Sequence, residues 1–295
     1  MTPTKPNAKP LPIAVVMITL NEAHNLEAVL DNIQDWAEEV FIVDSYSSDE
    51  TVDIALRRGV YVVQRAFQGF GDQWNFALEQ LPIKSKWTMK LDPDERLSDE
   101  LKTEIAGALQ KDDCDGFSLI RRLWFMGKPL PIKQSLVRVW RTGQCRFTDV
   151  AVNEHPVVSG QINAVSGCLE HLDSPDLPHW YRKQNKYTTA EALMRFRGDA
   201  FADVPSLFGT SFQRRMWVKA NFFRFPFRSS VLFLYHYFYL GAWRAGRVGY
   251  IWAKLRVDVF SAIEYKWREM MLTGREPIEV SSVVGLPDSR VTQYN

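Results

Sequence analysis

The sequence predicts an α/β protein, a mixed sheet flanked by helices, with a helical C-terminal extension rich in basic and aromatic residues. Three observations carry this. Short apolar runs alternate four times with helical patterns between Ile13 and Leu109, the sequence form of a sheet built from right-handed crossovers. The pattern changes between Gly116 and Val165, where Leu136–Trp140 and Val150–Val152 read as strands of a mixed or antiparallel sheet with turns at Thr142-Gly143 and Ser159-Gly160. The composition then shifts. Residues 1–178 carry net charge −8, residues 179–275 carry +11, and residues 276–295 carry −2.

Each element has a local reason. Ile13–Ile18 is continuously apolar, as a strand covered on both faces requires. Asn21 is placed to cap the next helix, which carries Leu26, Val29, Leu30 and Ile33 at helical spacing. Val40–Val43 is a second strand and Asp49–Arg58 a helix closed by Gly59. Val60–Val63, the helix Gly71–Gln80 and the strand Trp87–Leu91 follow, and Ser98 caps a helix with Leu101, Ile105 and Leu109 on one face. From His179 onward the pattern is helical, and the tail after Arg275 reads as loose. These boundaries define three regions: 1–178, 179–275 and 276–295.

The 295 residues are 46% apolar and 24% charged with net charge +1, which excludes a disordered chain and removes any bulk case for nucleic-acid binding. Three cysteines without a CxxC pair fit a reduced, cytoplasmic compartment. Met1–Pro12 is polar and proline-rich and lacks the form of a signal peptide. Ser229–Trp243 is apolar but, at fifteen residues, short of the roughly 20 needed to span a bilayer. It reads as a buried core helix or as an interfacial, re-entrant membrane contact. Phe208, Phe212, Met216 and Phe223 approximate a helical stripe nearby, with Arg214, Arg215 and Lys219 on other faces. That composition suits an anionic membrane surface.

Ligands of open parallel sheets bind outside the carboxyl ends of the strands. There the sequence places Thr19-Leu20-Asn21-Glu22, Asp44-Ser45-Tyr46-Ser47-Ser48-Asp49 and Asp92-Pro93-Asp94-Glu95. Capping accounts for Asn21, Ser48 and Ser98 but less well for Asp44 and Asp92. Three carboxylates within four residues repel unless a cation joins them, and hard divalent cations take carboxylate and phosphate oxygens together. There is no GxGxxG after the first strand, no Walker loop, no zinc spacing of Cys and His, and no GxSxG elbow. Of five histidines, His155 adjoins Glu154 and His171 adjoins Glu170.

Together Val16–Glu22 (VMITLNE), Trp36–Asp49 (WAEEVFIVDSYSSD), Gly69–Leu78 (GFGDQWNFAL) and Leu91–Arg96 (LDPDER), in that order, resemble the family-2 glycosyltransferases of GT-A fold, a Rossmann-like mixed sheet. Val137–Trp140, Val152–His155 and Leu169–His171 extend the resemblance, which is greatest toward the bacterial lipopolysaccharide-core β-glucosyltransferase subgroup. It implies an inverting transferase with a nucleotide-sugar donor (a UDP-sugar foremost) and a divalent cation (Mg2+ or Mn2+); with the basic aromatic C-terminus this makes a peripheral enzyme on the cytoplasmic face of the inner membrane, acting on a lipid-linked or lipopolysaccharide-type acceptor. By position, Thr19, Asn21, Glu22, Asp44, Ser45 and Ser47 match the nucleotide pocket and Gln73 and Asn75 a donor-side pair. Asp92 and Asp94 match the acidic pair for ribose and metal-diphosphate, with His171 completing the metal site. Arg138 is placed for donor phosphates or the acceptor. Glu154 is the expected base and Asp94 the metal holder. Tyr46 stands where the family has glycine, so its backbone either avoids positive φ or is strained. Pro93 replaces a small residue between the aspartates, and Asn153 replaces a frequent histidine. Two rivals are a sugar-phosphate nucleotidyltransferase, whose Gly-rich basic loop is missing at Thr19–Glu22, and a catalytically silent nucleotide-binding membrane scaffold.

Overall fold

The computed structural model describes residues 9–148, 155–198 and 204–277, which divide into two compact units. Residues 9–122, 133–148 and 155–172 belong to the first; residues 123–132 and the described chain from Asp173 onward belong to the second.

In the first unit the strands are β1 (Leu11–Thr19), β2 (Ala37–Asp44), β3 (Tyr61–Gln64), β4 (Trp87–Lys90) and β5 (Glu95–Leu97), with helices α1 (Ala23–Ile33), α2 (Thr51–Arg57), α3 (Phe70–Gln80) and α4 (Asp99–Lys111) between and after them. Then come β6 (Gly116–Phe125), β7 (Lys128–Arg141), β8 (Cys145–Phe147), β9 (Pro156–Val158) and β10 (Ile162–Leu172). Eight strands form one sheet in the order β3-β2-β1-β4-β7-β6-β10-β5, and β8 and β9 form a separate pair. β1 pairs in parallel with β2 and β4, and β2 with β3, whereas β4–β7 and β5–β10 are antiparallel. This is the mixed, helix-flanked α/β sheet the sequence predicts.

β1 supplies both cores. Ile13, Val15 and Met17 face one side with Leu26, Leu30 and Ile33 of α1 and Leu101, Ile105 and Leu109 of α4. Ala14 and Val16 face the other with Trp74 and Ala77 of α3, Phe41 and Val43. All five are fully buried, which is why the run shows no polar alternation. Ser98 caps α4 by accepting from the Leu101 amide at 3.1 Å, as expected. Gly167 of β10 is forced: at φ +89° a Cβ there would lie 2.6 Å from the Leu101 backbone.

The second unit holds α5 (Leu177–Arg197), α6 (Ser211–Asn221), α7 (Arg228–Leu234) and α8 (Gly246–Thr273), with the tip of the β6–β7 hairpin. At that tip Met126 and Gly127 both have positive φ, the form of a two-residue hairpin turn. Trp180, Leu193, Trp252, Leu255, Val259 and Ile263 centre its core, together with Phe125 and Leu130. Asp176 caps α5 by accepting from the His179 amide at 2.7 Å.

Two expectations are corrected here. The apolar run 229–243 is not one helix. α7 gives way to a π-helical turn at Tyr235–Tyr239, then to Gly241 at φ +78° and a 3-10 turn at Ala242–Ala245. The 3-10 turn packs closely on α8, where a Cβ on Gly249 would sit 1.8 Å from the Ala242 carbonyl oxygen. Nor do Phe208, Met216 and Phe223 share a helix, since α6 starts after Phe208 and ends before Phe223. The Phe212 side chain lies outside the described ones. Among the described residues no helix is long and apolar enough to cross a membrane.

Candidate functional site

The carboxyl ends of β1, β2 and β3 are tied by one buried carboxylate. Asp44 is fully buried and accepts from the Thr19 hydroxyl at 2.8 Å, the Ser47 amide at 2.8 Å, the Ser47 hydroxyl at 2.5 Å and the Gln64 amide nitrogen at 3.1 Å. Neither capping nor solvation describes it; it fixes the geometry of three strand ends. Asn21 does not cap α1. Its side-chain oxygen accepts from the Ser48 amide at 2.8 Å, and its own amide donates to the Ser47 hydroxyl at 2.8 Å. The two loops that clasp in this way each contain a left-handed residue that is not glycine, Asn21 at φ +58° and Tyr46 at φ +59°. Tyr46 thus takes the strained alternative, with its side chain 60% exposed. Glu22 accepts from the Asn25 side chain at 2.8 Å.

Gln73 is fully buried and bridges Arg65 at 2.8 Å to the Ser45 hydroxyl at 3.3 Å. Asn75, expected beside it, turns instead to the Phe147 backbone, accepting its amide at 2.8 Å and donating to its carbonyl at 3.0 Å. The structure therefore brings Gln73 to the strand-end loops and uses Asn75 to hold β8 on α3.

After β4 the acidic turn splits into two groups. Arg138 of β7 is buried and donates to Asp92 at 2.9 Å and to fully buried Glu95 at 2.6 Å. Glu95 also accepts the Asp92 amide at 3.0 Å and faces Arg121 at 3.5 Å. Burial pushes the Asp92 carboxyl upward, but the charges of Arg138 and Lys90 outweigh it and hold it at about 2. Burial raises the Glu95 carboxyl, against the pull of Arg138. Arg138, expected on phosphate or acceptor, is thus engaged by two carboxylates of this chain.

Asp94 faces the other way. Its Oδ2 lies 3.2 Å from His171 Nε2, and the Leu172 amide donates to the Asp94 carbonyl at 2.8 Å. Burial lowers the His171 imidazole, and the Asp94 carboxylate overrides this and raises it. Asp173, one peptide bond past the end of β10, offers a third ligand atom, and one atom from each of Asp94, His171 and Asp173 lies within 4.8 Å of the others. Two carboxylates and an imidazole at that spacing fit a divalent cation. Asp92 stands on Arg138 rather than in this group. Glu154, the expected base, lies outside the described residues.

Sequence reasoning passed over Asp173 and the charge of Lys90, and it grouped Glu95 with Asp92 and Asp94 as a cation-binding turn, whereas Glu95 stands on Arg138. Asp173 was signalled by the His-x-Asp spacing, which keeps both side chains on one face of an extended chain. Lys90 is a lysine in an otherwise buried strand, its ammonium 4.4 Å from the Trp74 ring and 5.1 Å from Phe147.

Hydroxyls, amides and carboxylates thus gather at the carboxyl ends of parallel strands, where ligands of open α/β sheets bind. Residues 14–191 match glycosyl transferase family 2, and the chain belongs to that family. It is a glycosyltransferase. It is 28% identical over 253 residues to the lipopolysaccharide core biosynthesis glycosyltransferase LpsC of Rhizobium meliloti, across 82% of this chain and 86% of that one. An uncharacterized glycosyltransferase of Rickettsia bellii is 40% identical over 93 residues, 32% of this chain and 31% of that one, so the chain spans about a third of that relative. Among solved structures, the mannosyltransferase PcManGT of Pyrobaculum calidifontis, in complex with GDP-Man and Mn2+, is 16% identical with a TM-score of 0.49, covering 90% of this chain and 91% of that one.

Proposed function

We propose that the chain moves a sugar from a nucleotide-sugar donor, a UDP-sugar foremost, to a lipid-linked or lipopolysaccharide-type acceptor, with inversion, at the cytoplasmic face of the inner membrane. The observation that carries it is the Asp94–His171–Asp173 group at the strand-end rim of a family-2 glycosyltransferase. The likeness to LpsC along most of both chains supports the acceptor class. Residues 1–178 are the catalytic region in this reading, 179–275 the membrane-associating one and 276–295 a tail.

The loops after β1 and β2 receive the nucleotide. Thr19, Asn21, Glu22, Asp44, Ser45 and Ser47 shape its pocket, and Gln73 supports it through Ser45. Asn75 serves it only by holding β8. Asp92 is kept ionised by Arg138, so it accepts hydrogen bonds from ribose hydroxyls. Asp94, His171 and Asp173 would hold Mg2+ or Mn2+, which supplies charge neutralisation at the diphosphate as it leaves. Glu154 takes the proton of the acceptor hydroxyl on the far face of the sugar, so that the oxygen bonds to the anomeric carbon while the bond to the diphosphate breaks.

Transfer and donor hydrolysis, followed with a panel of UDP-sugars with and without Mn2+, test this. Glu154→Gln abolishes transfer, by about 10²-fold or more, while nucleotide binding survives. Near-normal turnover in that variant removes Glu154 from the role.

A further inference from the structure

The segment from Phe227 to Tyr239 carries apolar side chains on the face where a helix in water carries charge. Its exposed large residues are Phe227 (83%), Val231 (60%), Leu234 (51%), Tyr235 (45%), Phe238 (58%) and Tyr239 (79%). They recur every three or four residues from Phe227, the left-handed N-cap of α7, through α7 and into the π-helical turn Tyr235–Tyr239. The opposite face is already occupied. Leu232 and His236 are buried, and Phe233 stacks on Tyr237 at 5.3 Å with both rings against Tyr250. The stripe is therefore a second apolar surface, not the underside of a core helix.

Its surroundings identify what covers it. Residues 204–257 contain nine Lys and Arg and no Asp or Glu. Arg224 precedes the stripe, and Arg244 and Arg247 follow it, all three exposed. Trp243 is half-exposed with the Arg244 guanidinium 5.4 Å from its ring. A second copy of this chain docked through the stripe would bring Arg224, Arg244 and Arg247 up against the same exposed cations of its partner. A nucleic acid would meet Val, Leu and Phe where it needs polar partners. An anionic bilayer satisfies both features, with phosphate for the arginines, the acyl boundary for Val231, Leu234 and Phe238, and the interface for Tyr and Trp. No described helix can cross a membrane, so the segment lies along the surface.

We infer that the Phe227–Tyr239 stripe, flanked by Arg224, Arg244 and Arg247, is the face by which the chain docks on an anionic membrane leaflet. This rests on the membrane location proposed above and names the side chains that make it.

Co-sedimentation of the full chain with vesicles of phosphatidylcholine alone, or with about 30 mol% phosphatidylglycerol, tests it. The wild-type chain partitions at least about tenfold more strongly to the anionic vesicles, and Val231→Ser/Leu234→Ser/Phe238→Ser loses about tenfold or more of that binding while keeping its melting temperature and donor hydrolysis. Arg244→Gln/Arg247→Gln loses binding at low salt and blunts the salt dependence. If the triple variant binds like wild type, the stripe is not the docking face, although the location stands. If wild type ignores both vesicles, face and location fall together, whereas donor hydrolysis reports on the transferase reading separately. A wild-type dimer in vesicle-free buffer that the triple variant abolishes makes the occupant a second copy and overturns the inference.

Discussion

Tyr46→Gly should make the protein more stable, although it deletes an aromatic side chain. Tyr46 sits at φ +59°, where a residue with a Cβ is disfavoured by about 1–2 kcal/mol. Glycine removes that strain but gives the unfolded chain more freedom, which costs about 0.5–1 kcal/mol. The Tyr46 ring is 60% exposed and has no ring contact or side-chain hydrogen bond among the described residues, so little packing is lost. The net is a gain of about 0–1.5 kcal/mol, centred on about 0.75, or a rise of up to roughly 6 °C in melting temperature for a unit of this size. Tyr46→Ala is the control: it loses the same ring but keeps the Cβ, so it should show no gain. Thermal and urea unfolding followed by circular dichroism measure both variants. Equal shifts for alanine and glycine, or a loss in the glycine variant, would refute the strain argument.

Other outcomes follow from the same geometry. Arg138→Ala leaves Glu95 buried without its nearest cation and should cost about 3–5 kcal/mol in urea unfolding; a loss below about 1 kcal/mol would show that Arg121 suffices. Asp94→Ala should abolish any change in melting temperature on adding Mn2+, and an unaltered metal response would remove Asp94 from the ligand set. Among the described residues the buried His236 has no hydrogen-bond partner on either ring nitrogen, and burial, then the Arg256 charge, lowers its pKa to about 4. A base depressed below its unfolded value of about 6.5 stabilises the fold fully above that pH and progressively less as pH falls toward 4. His236→Phe should flatten stability between those limits, and an unchanged slope in that variant would place the titration elsewhere. Gly249→Ala should lower the melting temperature by several degrees, because the new methyl meets the Ala242 carbonyl.

The part of the architecture that local pattern encodes was legible. β1 announced itself as an unbroken apolar run because both its faces are covered, and α4 by Ser98 and its Leu101-Ile105-Leu109 stripe. What escaped depends on partners distant in sequence. β5 is only Glu95–Leu97, three residues that become a strand because β10 pairs with them, with His171 opposite Glu95. Asn21 has the composition of a cap, yet its oxygen is taken by a loop 27 residues away. The strand-end positions of Asp44, Asp92 and Asp94 were readable from sequence order. The split that sends Asp92 to Arg138 and Asp94 to His171 was not, because neighbours in one turn diverge according to which strands flank it. The run 229–243 left two readings open for a related reason. Its apolar content serves two faces at once, and hydropathy alone cannot distinguish a twice-covered helix from one half left open.

Asp44 has one consequence for how such proteins diversify. Because a single carboxylate anchors β1 through Thr19, the following loop through Ser47 and β3 through Gln64, these segments cannot drift independently. A substitution that relaxes one of them slackens the others, so in the nucleotide pocket proposed above donor preference would change in concerted steps. A nucleotide bound there, as proposed, would meet chain already held in place, with its ordering entropy spent when the protein folded.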